Sequence, residues 1–440
     1  MKNYLNRLAL ISLGYILLVL ISKSLYAALL LALTTALTFL ITNKVVSIQS
    51  SSVREFIGRT SVPFAFLLIV LLNLLGFIST LTGTVVSEDN DLSFLFVGLP
   101  FYLLCAAAYI AEFSIQKNHS KKLVNSYIDL SLYLALPFKL LSGPIEGPAL
   151  TNQFNKITFK IASSRMVIGF TWVALGLFMK FVIANRLSPS ALLSSTDPII
   201  SLLCATIFEL KFYFDFAGYS FIAFGCAVLV NIKIINNFNH PFTTTNVVHF
   251  WHSWHISLGK FLQKYVLLKN LNLFDSRNSK AVFAGSIFLV SAMWHGGTAN
   301  YLFWGLFHGV VYVTYIQVMK FKKVPKIVGL LSMLAFFIFG RLLAIDPVTS
   351  RLLERIKNIF NPYYYFVETH DFHATIDVLL SVNYKPLILA FAFILLEFYQ
   401  VKLQKRSDYH LFRRPIPIAV LFFIFIFFGI NTGELLYARI

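Results

Sequence analysis

Apolar runs of about twenty residues recur from one end of this 440-residue sequence to the other. A helix of about 20 apolar residues crosses a bilayer core, and lipid offers backbone polar groups no partner outside the helix. Hydrophobic residues make up 58% of the chain and charged residues only 13%, which is far more apolar surface than a soluble domain of this length needs. The sequence therefore predicts an all-α, polytopic membrane protein.

Lys and Arg concentrate in the short connectors between the apolar runs, for example in 44–59 and 402–414. Because cytoplasmic connectors are enriched in basic residues, this pattern predicts about 11 crossings, with the N-terminus inside and the C-terminus outside. Re-entrant and interfacial helices are expected around a central funnel, in a multi-pass protein of the cytoplasmic (inner) membrane that contacts lipid. The connectors account for the net charge of +18. No nucleic-acid partner is predicted, since the basic residues form no surface interleaved with aromatic rings.

The connectors leave no room for a separate soluble domain. The longest of them, 137–165, 236–280 and 346–384, are too short and too apolar to fold alone. The whole chain, 1–440, is therefore expected to form a single transmembrane domain. No inverted internal repeat, the arrangement of many transporters, is evident.

Three charged residues interrupt the apolar stretch 198–232, namely Glu209, Lys211 and Asp215. An unpaired charge at mid-bilayer costs at least about 2.5 to 3.5 kcal/mol, so these residues need compensation. Lys211 and Asp215 are four residues apart and are expected to pair on one helical face. Two interpretations stay open: a structural ion pair, or the lining of a wet cavity in which Asp215 contacts substrate.

Six of the ten histidines fall within a short part of the chain, namely His240, His249, His252, His255, His295 and His308. Such clustering exceeds what packing alone predicts. His249, His252 and His255 would fan across about 120° of one helix, with no carboxylate to complete a ligand set. Helical zinc pairs favour an i, i+4 spacing, so no metal is predicted. The three cysteines lie in apolar runs and are expected to be small core residues.

Four passages resemble a known family in their order and spacing. They are SGPI (142–145), with GL (176–177) and KFVIANRL (180–187) after it; YFDFAGYS (213–220), with NFNHPF (237–242) after it; FWHSWHISLGKFLQKY (250–265); and SAMWHGGTANYLFWGLFHG (291–309). Together they resemble the bacterial polysaccharide branch of the membrane-bound O-acyltransferase family. The resemblance covers a core of 142–320, and both ends agree with the family only in hydropathy.

The resemblance implies an acyltransferase in which two histidines are central. The histidine of the family's Trp-His-Gly passage carries catalysis, which implies that role for His295. The histidine of the Trp-His-Ile-Ser passage maps to His255, which could polarise the acyl carbonyl, hold the donor or support the fold. The sequence departs from the family pattern at Asn185, Phe221, Ser253, Gln263 and Lys264. The departures near the expected cytoplasmic mouth bear on the donor and leave both histidines intact.

The chemistry of the residues supports the same site. An imidazole titrates near neutral pH and can take a proton from an acceptor hydroxyl as that hydroxyl attacks a thioester. His295 is followed by two glycines at 296–297, which allow the backbone to approach a substrate closely. Trp294 is expected to wall the site and contact substrate. Asn300 and Tyr301 are candidate hydrogen-bond donors to an oxyanion.

Basic and amide side chains cluster on the expected cytoplasmic side, at Lys260, Gln263, Lys264, Lys269 and Arg277. Lys260 and Lys264 are the candidate contacts for the phosphates of coenzyme A or of a phosphopantetheine carrier. The positive-inside bias explains the same cluster equally well.

The expected function is acetyl transfer from a cytoplasmic thioester to hydroxyls of an exported or cell-envelope polysaccharide. Acetyl-CoA or an acyl carrier protein would supply the acyl group as a substrate, with no permanently bound cofactor, and a periplasmic acetyl-handling protein is a possible partner. One alternative is D-alanyl transfer from a carrier protein to teichoic acid. A different class remains open as well, a transporter or flippase in which the histidines and Asp215 form a proton or sugar path.

Overall fold

The structure is a computed structural model that describes residues 2–81, 98–115, 127–140, 143–189, 192–267, 276–295, 298–318, 324–346, 348–362, 364, 376–377, 380, 382 and 384–404. All regular secondary structure within these residues is helical, which confirms the expected all-α fold. Ser142, Lys269, the two glycines at 296–297 and everything from 405 onward lie outside the described residues.

The α-helices of the described residues fall into two groups along the chain. The first group is α1 (Lys2–Ser22), α2 (Leu25–Ser47), α3 (Ser51–Leu81), α4 (Leu99–Ile115), α5 (Tyr127–Ala135), α6 (Ser163–Leu177) and α7 (Pro198–Leu229). The second is α8 (Val247–Ser253), α9 (Ile256–Leu262), α10 (Arg277–His295), α11 (Ala299–Val318), α12 (Lys326–Ala344), α13 (Thr349–Phe360) and α14 (Tyr384–Gln404). Wider π-helical turns extend α6 over Phe178–Ile183 and α9 over Gln263–Leu267.

Several helices are long and apolar enough to cross a membrane. Within the described residues there are six such spans: Asn3–Ser22, Leu25–Ser47, Ser51–Leu74, Ser163–Arg186, Lys326–Ala344 and Tyr384–Lys402. Large apolar side chains such as Leu20, Leu29 and Leu40 are exposed along them, as expected of surfaces that contact lipid. The polytopic architecture is therefore confirmed, whereas the number of about 11 crossings stays a prediction.

The long helix α7 lies at the centre of the bundle, between α6 and α12. Its N-terminus is well capped, because Asp197 accepts a hydrogen bond from the backbone N of Ile200 at 2.9 Å and Pro198 opens the first turn. Gly176 of α6 and Gly218 of α7 lie in contact, and a Cβ added to Gly218 would stand 2.8 Å from the Gly176 carbonyl oxygen. Close packing of these two helices explains why both motif passages contain glycine here.

Helices α8 and α9 have seven residues each and are about 10 Å long, which is too short to cross a bilayer. Asn246 caps α8 by accepting a hydrogen bond from the backbone N of His249 at 2.9 Å. Phe250 and Leu258 are buried, so both helices enter the bundle instead of lying on its surface. They provide the non-spanning helices that the sequence predicted, and they close one side of a cavity.

Candidate active site

A cavity of about 330 Å³ lies where α7, α8, α9, α10, α11 and α12 meet. Aromatic rings form much of its wall, and polar side chains interrupt them. These polar side chains include Glu209, His252, His255, Lys260, Gln263, Ser291, His295, Tyr301, His308, Tyr312 and Arg341. A concave, largely apolar space with a few convergent polar groups is the usual form of a small-molecule site. The cavity thus brings together four of the predicted site residues: His255, Lys260, His295 and Tyr301.

Hydrogen bonds between separate motif passages fix the loop that carries His255. The backbone N of Ser257 donates to Asn237 Oδ1 at 3.0 Å, and Asn237 Nδ2 donates to Ser220 Oγ at 3.2 Å. The Ser257 hydroxyl accepts from the backbone N of Ile145 at 2.9 Å. The first three motif passages, of which Ile145 and Ser257 are 112 residues apart in the chain, therefore form one hydrogen-bonded unit around His255.

His255 has an unusual backbone conformation. Its φ of 44° and ψ of 51° place it in the left-handed region, which costs a non-glycine residue roughly 1–3 kcal/mol and is often found at functional sites. The residue connects α8 to α9, outside the spanning helices, and its ring packs edge-on against Phe216 at 4.8 Å. Burial and, to a smaller degree, the neighbouring His295 hold the pKa of His255 well below its usual range. The imidazole is therefore neutral at pH 7.

His295 is the last residue of α10, at the wall of the cavity. Its ring lies 4.5 Å from that of Trp294 and 6.3 Å from that of Trp304. Trp294 is buried and packs against Phe101 with ring centroids 5.7 Å apart. The structure thus places Trp294 behind His295 and outside the cavity lining, and its predicted contact with substrate stays a prediction.

Asn73, on α3, holds the end of the helix that presents His295. Its Nδ2 donates to the carbonyl oxygens of Met293 at 3.1 Å and Trp294 at 3.0 Å. The last carbonyls of a helix lack partners within that helix, and lipid supplies none. Asn73 thereby fixes the final turn of α10. The sequence signal was a single asparagine in an apolar run, and it was not recognised.

Asp215 lies away from the cavity and pairs with a residue that the sequence did not indicate. Its carboxylate accepts a hydrogen bond from Lys180 Nζ, in the π-helical turn after α6, and both side chains are only 5% exposed. The expected pairing with Lys211 on the same helix is wrong, because α6 packs closely enough to place Lys180 nearer. This geometry favours the structural interpretation over the predicted contact with substrate.

The two residues proposed as oxyanion donors lie in different places. Tyr301 lines the cavity. The amide of Asn300 is 1% exposed: its Nδ2 donates to the Asp346 carbonyl oxygen, and its Oδ1 accepts from the Thr349 hydroxyl at 3.0 Å. These bonds tie α11 to α13 and turn the amide away from the cavity. The predicted role of Asn300 at an oxyanion therefore finds no support in this geometry.

The two candidate donor-binding lysines are also separated. Lys260 lies in the cavity lining. Lys264 lies outside it and pairs with Glu112, which also accepts a hydrogen bond from the Tyr265 hydroxyl. The charge of Lys264 is therefore partly neutralised by Glu112, whereas Lys260 lines the cavity.

Two further polar groups of the lining were not identified as site residues from sequence. His308 is 4% exposed, and its Nδ1 bonds the Trp304 carbonyl oxygen at 2.8 Å. Arg341 pairs with Glu209 at 2.6 Å. A lone arginine in an apolar run is itself a sequence signal for function. In the part of the chain that the structure describes, no group of three His, Cys, Asp or Glu side chains is placed to hold a metal ion.

Comparison with known proteins places this chain in a family. The sequence model of the membrane-bound O-acyltransferase family matches residues 18–344, well over half of the chain. The chain is 29% identical over 197 residues to the peptidoglycan O-acetyltransferase of Helicobacter pylori, which covers 42% of this chain and 37% of that protein. It is 28% identical over 222 residues to the probable alginate O-acetylase of Pseudomonas aeruginosa, covering 49% and 41%.

A third relative is named for the transfer of a different acyl group, D-alanyl. The teichoic acid D-alanyltransferase of Bacillus subtilis is 27% identical over 207 residues, covering 44% of this chain and 52% of that protein. The matched part of this chain thus spans about half or less of the length of each of these relatives. The family match extends across all the motif passages and both cavity histidines. The chain belongs to the membrane-bound O-acyltransferase family.

Proposed function

We propose that this protein transfers an acetyl group from a cytoplasmic thioester, acetyl-CoA, to a hydroxyl of an exported or cell-envelope polysaccharide. The observation that carries the proposal is that His255 and His295 line one cavity, in a bundle with helices long and apolar enough to cross a membrane. Two of the relatives named above are O-acetylating proteins, which favours acetyl over D-alanyl as the transferred group.

The proposed reaction needs one base and a space that excludes water. His295 takes the proton of the acceptor hydroxyl as its oxygen attacks the thioester carbonyl carbon. A tetrahedral intermediate forms and collapses; the C–S bond breaks, and the thiolate leaves with the proton returned by His295. The new ester remains on the acceptor, and the free thiol leaves on the donor side.

The reaction also needs a hydrogen-bond donor to the acyl oxygen, and a neutral His255 can serve as that donor. Because its imidazole is neutral, one ring nitrogen carries a hydrogen and can donate to the acyl oxygen as negative charge develops there. Tyr301 is a second candidate donor in the same lining. The fixed backbone of the His255 loop would keep that donor in place without reorganisation during the reaction.

The donor and the acceptor would approach from opposite sides. Lys260 and Gln263 line the part of the cavity formed by α9, on the expected cytoplasmic side, where Lys260 would attract the phosphates of the donor. The acceptor would enter from the outer side, directly or through a periplasmic protein that receives the acetyl group. With this arrangement the protein would act in the cytoplasmic membrane of a bacterium.

The test is acetyl transfer by His295→Ala in membrane vesicles supplied with radiolabelled acetyl-CoA. Loss of a general base is expected to lower ester formation by about 10²–10⁴-fold at equal protein level. His249→Ala is the matched control, because His249 is exposed and bonds Asn246 outside the cavity. Ester content that His295→Ala leaves unchanged would contradict the proposal.

A parallel incubation with a D-alanyl thioester of a carrier protein distinguishes the two acyl groups. Wild type is expected to transfer acetyl in preference to D-alanyl. If wild type transfers D-alanyl but no acetyl, the acetyl assignment is overturned. If His295→Ala then loses the D-alanyl transfer, His295 still acts as the base.

A further inference from the structure

An ion pair in the wall of the cavity takes no part in the proposed acyl transfer. Arg341, on α12, donates from Nε to Glu209 Oε2, on α7, at 2.6 Å. The guanidinium lies over the Phe212 ring, 4.4 Å from its centroid. All three residues line the same cavity as His295. A cation is therefore held rigidly, by a carboxylate on one edge and an aromatic face on another, beside the proposed reaction centre.

The guanidinium is only partly used by the protein. An arginine side chain has five N–H donors, and here Nε is the atom that contacts Glu209. Within the described residues, no acceptor bonds the two terminal nitrogens of Arg341. The side chain is only 13% exposed, so it has little access to solvent. Placing charges at membrane depth is costly and is seldom maintained without a function. The terminal N–H groups are thus available to a ligand in the cavity.

The position of Arg341 along α12 indicates which substrate it meets. It follows Lys326, the first residue of the helix, by 15 residues, a rise of about 22 Å. The basic residues around 320–326 mark the expected cytoplasmic end, so Arg341 lies toward the outer side, whereas Lys260 belongs to the donor side. A group that reaches Arg341 therefore belongs to the acceptor.

We propose that Arg341, oriented by Glu209, binds a carboxylate of the acceptor next to the hydroxyl that becomes acetylated. A carboxylate matches the planar fork of a guanidinium in a bidentate contact. The site would then select acidic saccharides over neutral ones, because a neutral acceptor leaves the terminal N–H groups without a partner. This inference rests on the proposed acyl transfer, and it adds the chemical class of the acceptor.

The test compares two soluble acceptors that differ only at C6, methyl β-D-glucuronide and methyl β-D-glucoside. Purified full-length protein in nanodiscs is supplied with acetyl-CoA, and kcat/KM is measured for each acceptor. Wild type is expected to prefer the glucuronide by about 10- to 100-fold. The double variant Arg341→Gln with Glu209→Gln removes both charges together, so neither is left unpaired. It is expected to reduce the preference to about one, mainly through the KM of the glucuronide.

Binding of the same probes gives a readout that does not require turnover. Glucuronide is expected to raise the melting temperature of wild type and of His295→Ala more than glucoside does, and to lose this advantage in the double variant. His249→Ala serves as the control and is expected to keep the wild-type ratio in both assays.

The outcomes separate the two proposals. If the double variant slows both acceptors equally and keeps the preference, Arg341 serves the oxyanion of the reaction, and the acceptor site is overturned. A wild type without preference in rate or in melting temperature also overturns it. If wild type acetylates neither probe yet glucuronide stabilises it through Arg341, acetyl transfer to these sugars fails while the carboxylate site stands.

Discussion

Helix α7 carries two buried carboxylates six residues apart, in contrasting surroundings. Asp215 faces α6 and pairs with Lys180 in a sealed contact, where each side chain is 5% exposed. Glu209 faces the cavity and pairs with Arg341, with exposures of 10% and 13%. The first pair neutralises charge between two helices, whereas the second presents a guanidinium to open space. On this helix, therefore, burial alone does not distinguish the two carboxylates, and the difference is that only the Glu209–Arg341 pair has cavity space beside it.

Breaking the sealed Asp215–Lys180 pair is expected to have the largest effect of any single substitution. The effect is on the stability of the fold. Asp215→Leu leaves Lys180 buried without its main partner, which costs about 3–5 kcal/mol, or roughly 10²–10⁴ in the folding equilibrium. Adding Lys180→Met removes the second charge and is expected to restore most of the stability. Unfolding in detergent, followed by fluorescence, gives the melting temperatures. A folded Asp215→Leu protein with normal stability and no transfer would reverse the contrast drawn here.

His255→Asn tests a residue that lines the cavity, in contrast to the sealed Asp215–Lys180 pair. Asparagine tolerates the left-handed backbone of this position, so the substitution removes the imidazole and retains the turn. Loss of one preorganised donor is expected to lower kcat by about 10²-fold. The companion variant His255→Gly relieves the backbone strain and also lacks the ring. Equal losses in both variants would assign the effect to the imidazole, whereas a loss in neither would leave His255 a structural role only.

Asn73 is expected to have a smaller effect, because it acts through the helix that carries His295. Asn73→Ala removes two hydrogen bonds to the end of α10 and is expected to lower kcat about ten-fold, with little change in KM. Thr60→Ala on the same helix is the matched control, since among the described residues the Thr60 hydroxyl bonds carbonyl oxygens of its own helix. A raised KM with unchanged kcat would show that Asn73 does not position the base.

The smallest effect expected is at the donor lysines. Lys260→Gln is expected to raise the KM for acetyl-CoA a few-fold, by roughly 1 kcal/mol, and to weaken the salt dependence of that KM. Lys264→Gln is expected to change KM less, because Glu112 already neutralises much of that charge. Steady-state kinetics at low and high ionic strength separates the two lysines. An equal rise in both variants would indicate that the donor displaces Glu112.

Sequence patterns predicted the parts of the site that depend on local order. The clustered histidines and the four motif passages led to His255 and His295, and both line the cavity. The same patterns failed where partners come from distant helices. Lys211 was the nearest candidate partner of Asp215 on its own helix, but the partner is Lys180, 35 residues away. Asn300 follows the motif histidine by only five residues in sequence, yet its amide bonds Asp346 and Thr349.

Composition and hydrophobic periodicity by themselves predicted that this protein folds in a lipid bilayer. A bilayer requires helices of about twenty apolar residues, whichever other helices they pack against. The motif passages, which are continuous stretches of chain, carried the resemblance to the family, and the match of the family model over residues 18–344 confirmed it. Only the tertiary structure decided which polar side chains are sealed and which face the cavity. It showed that Glu209 lines the cavity and Asp215 does not, although both lie on one helix. It also showed that Arg341 lines the cavity and that Asn73 bonds the end of the helix that carries His295. These placements depend on the packing of α3, α6, α7, α10 and α12, and contacts between helices leave no period in the sequence of any one of them.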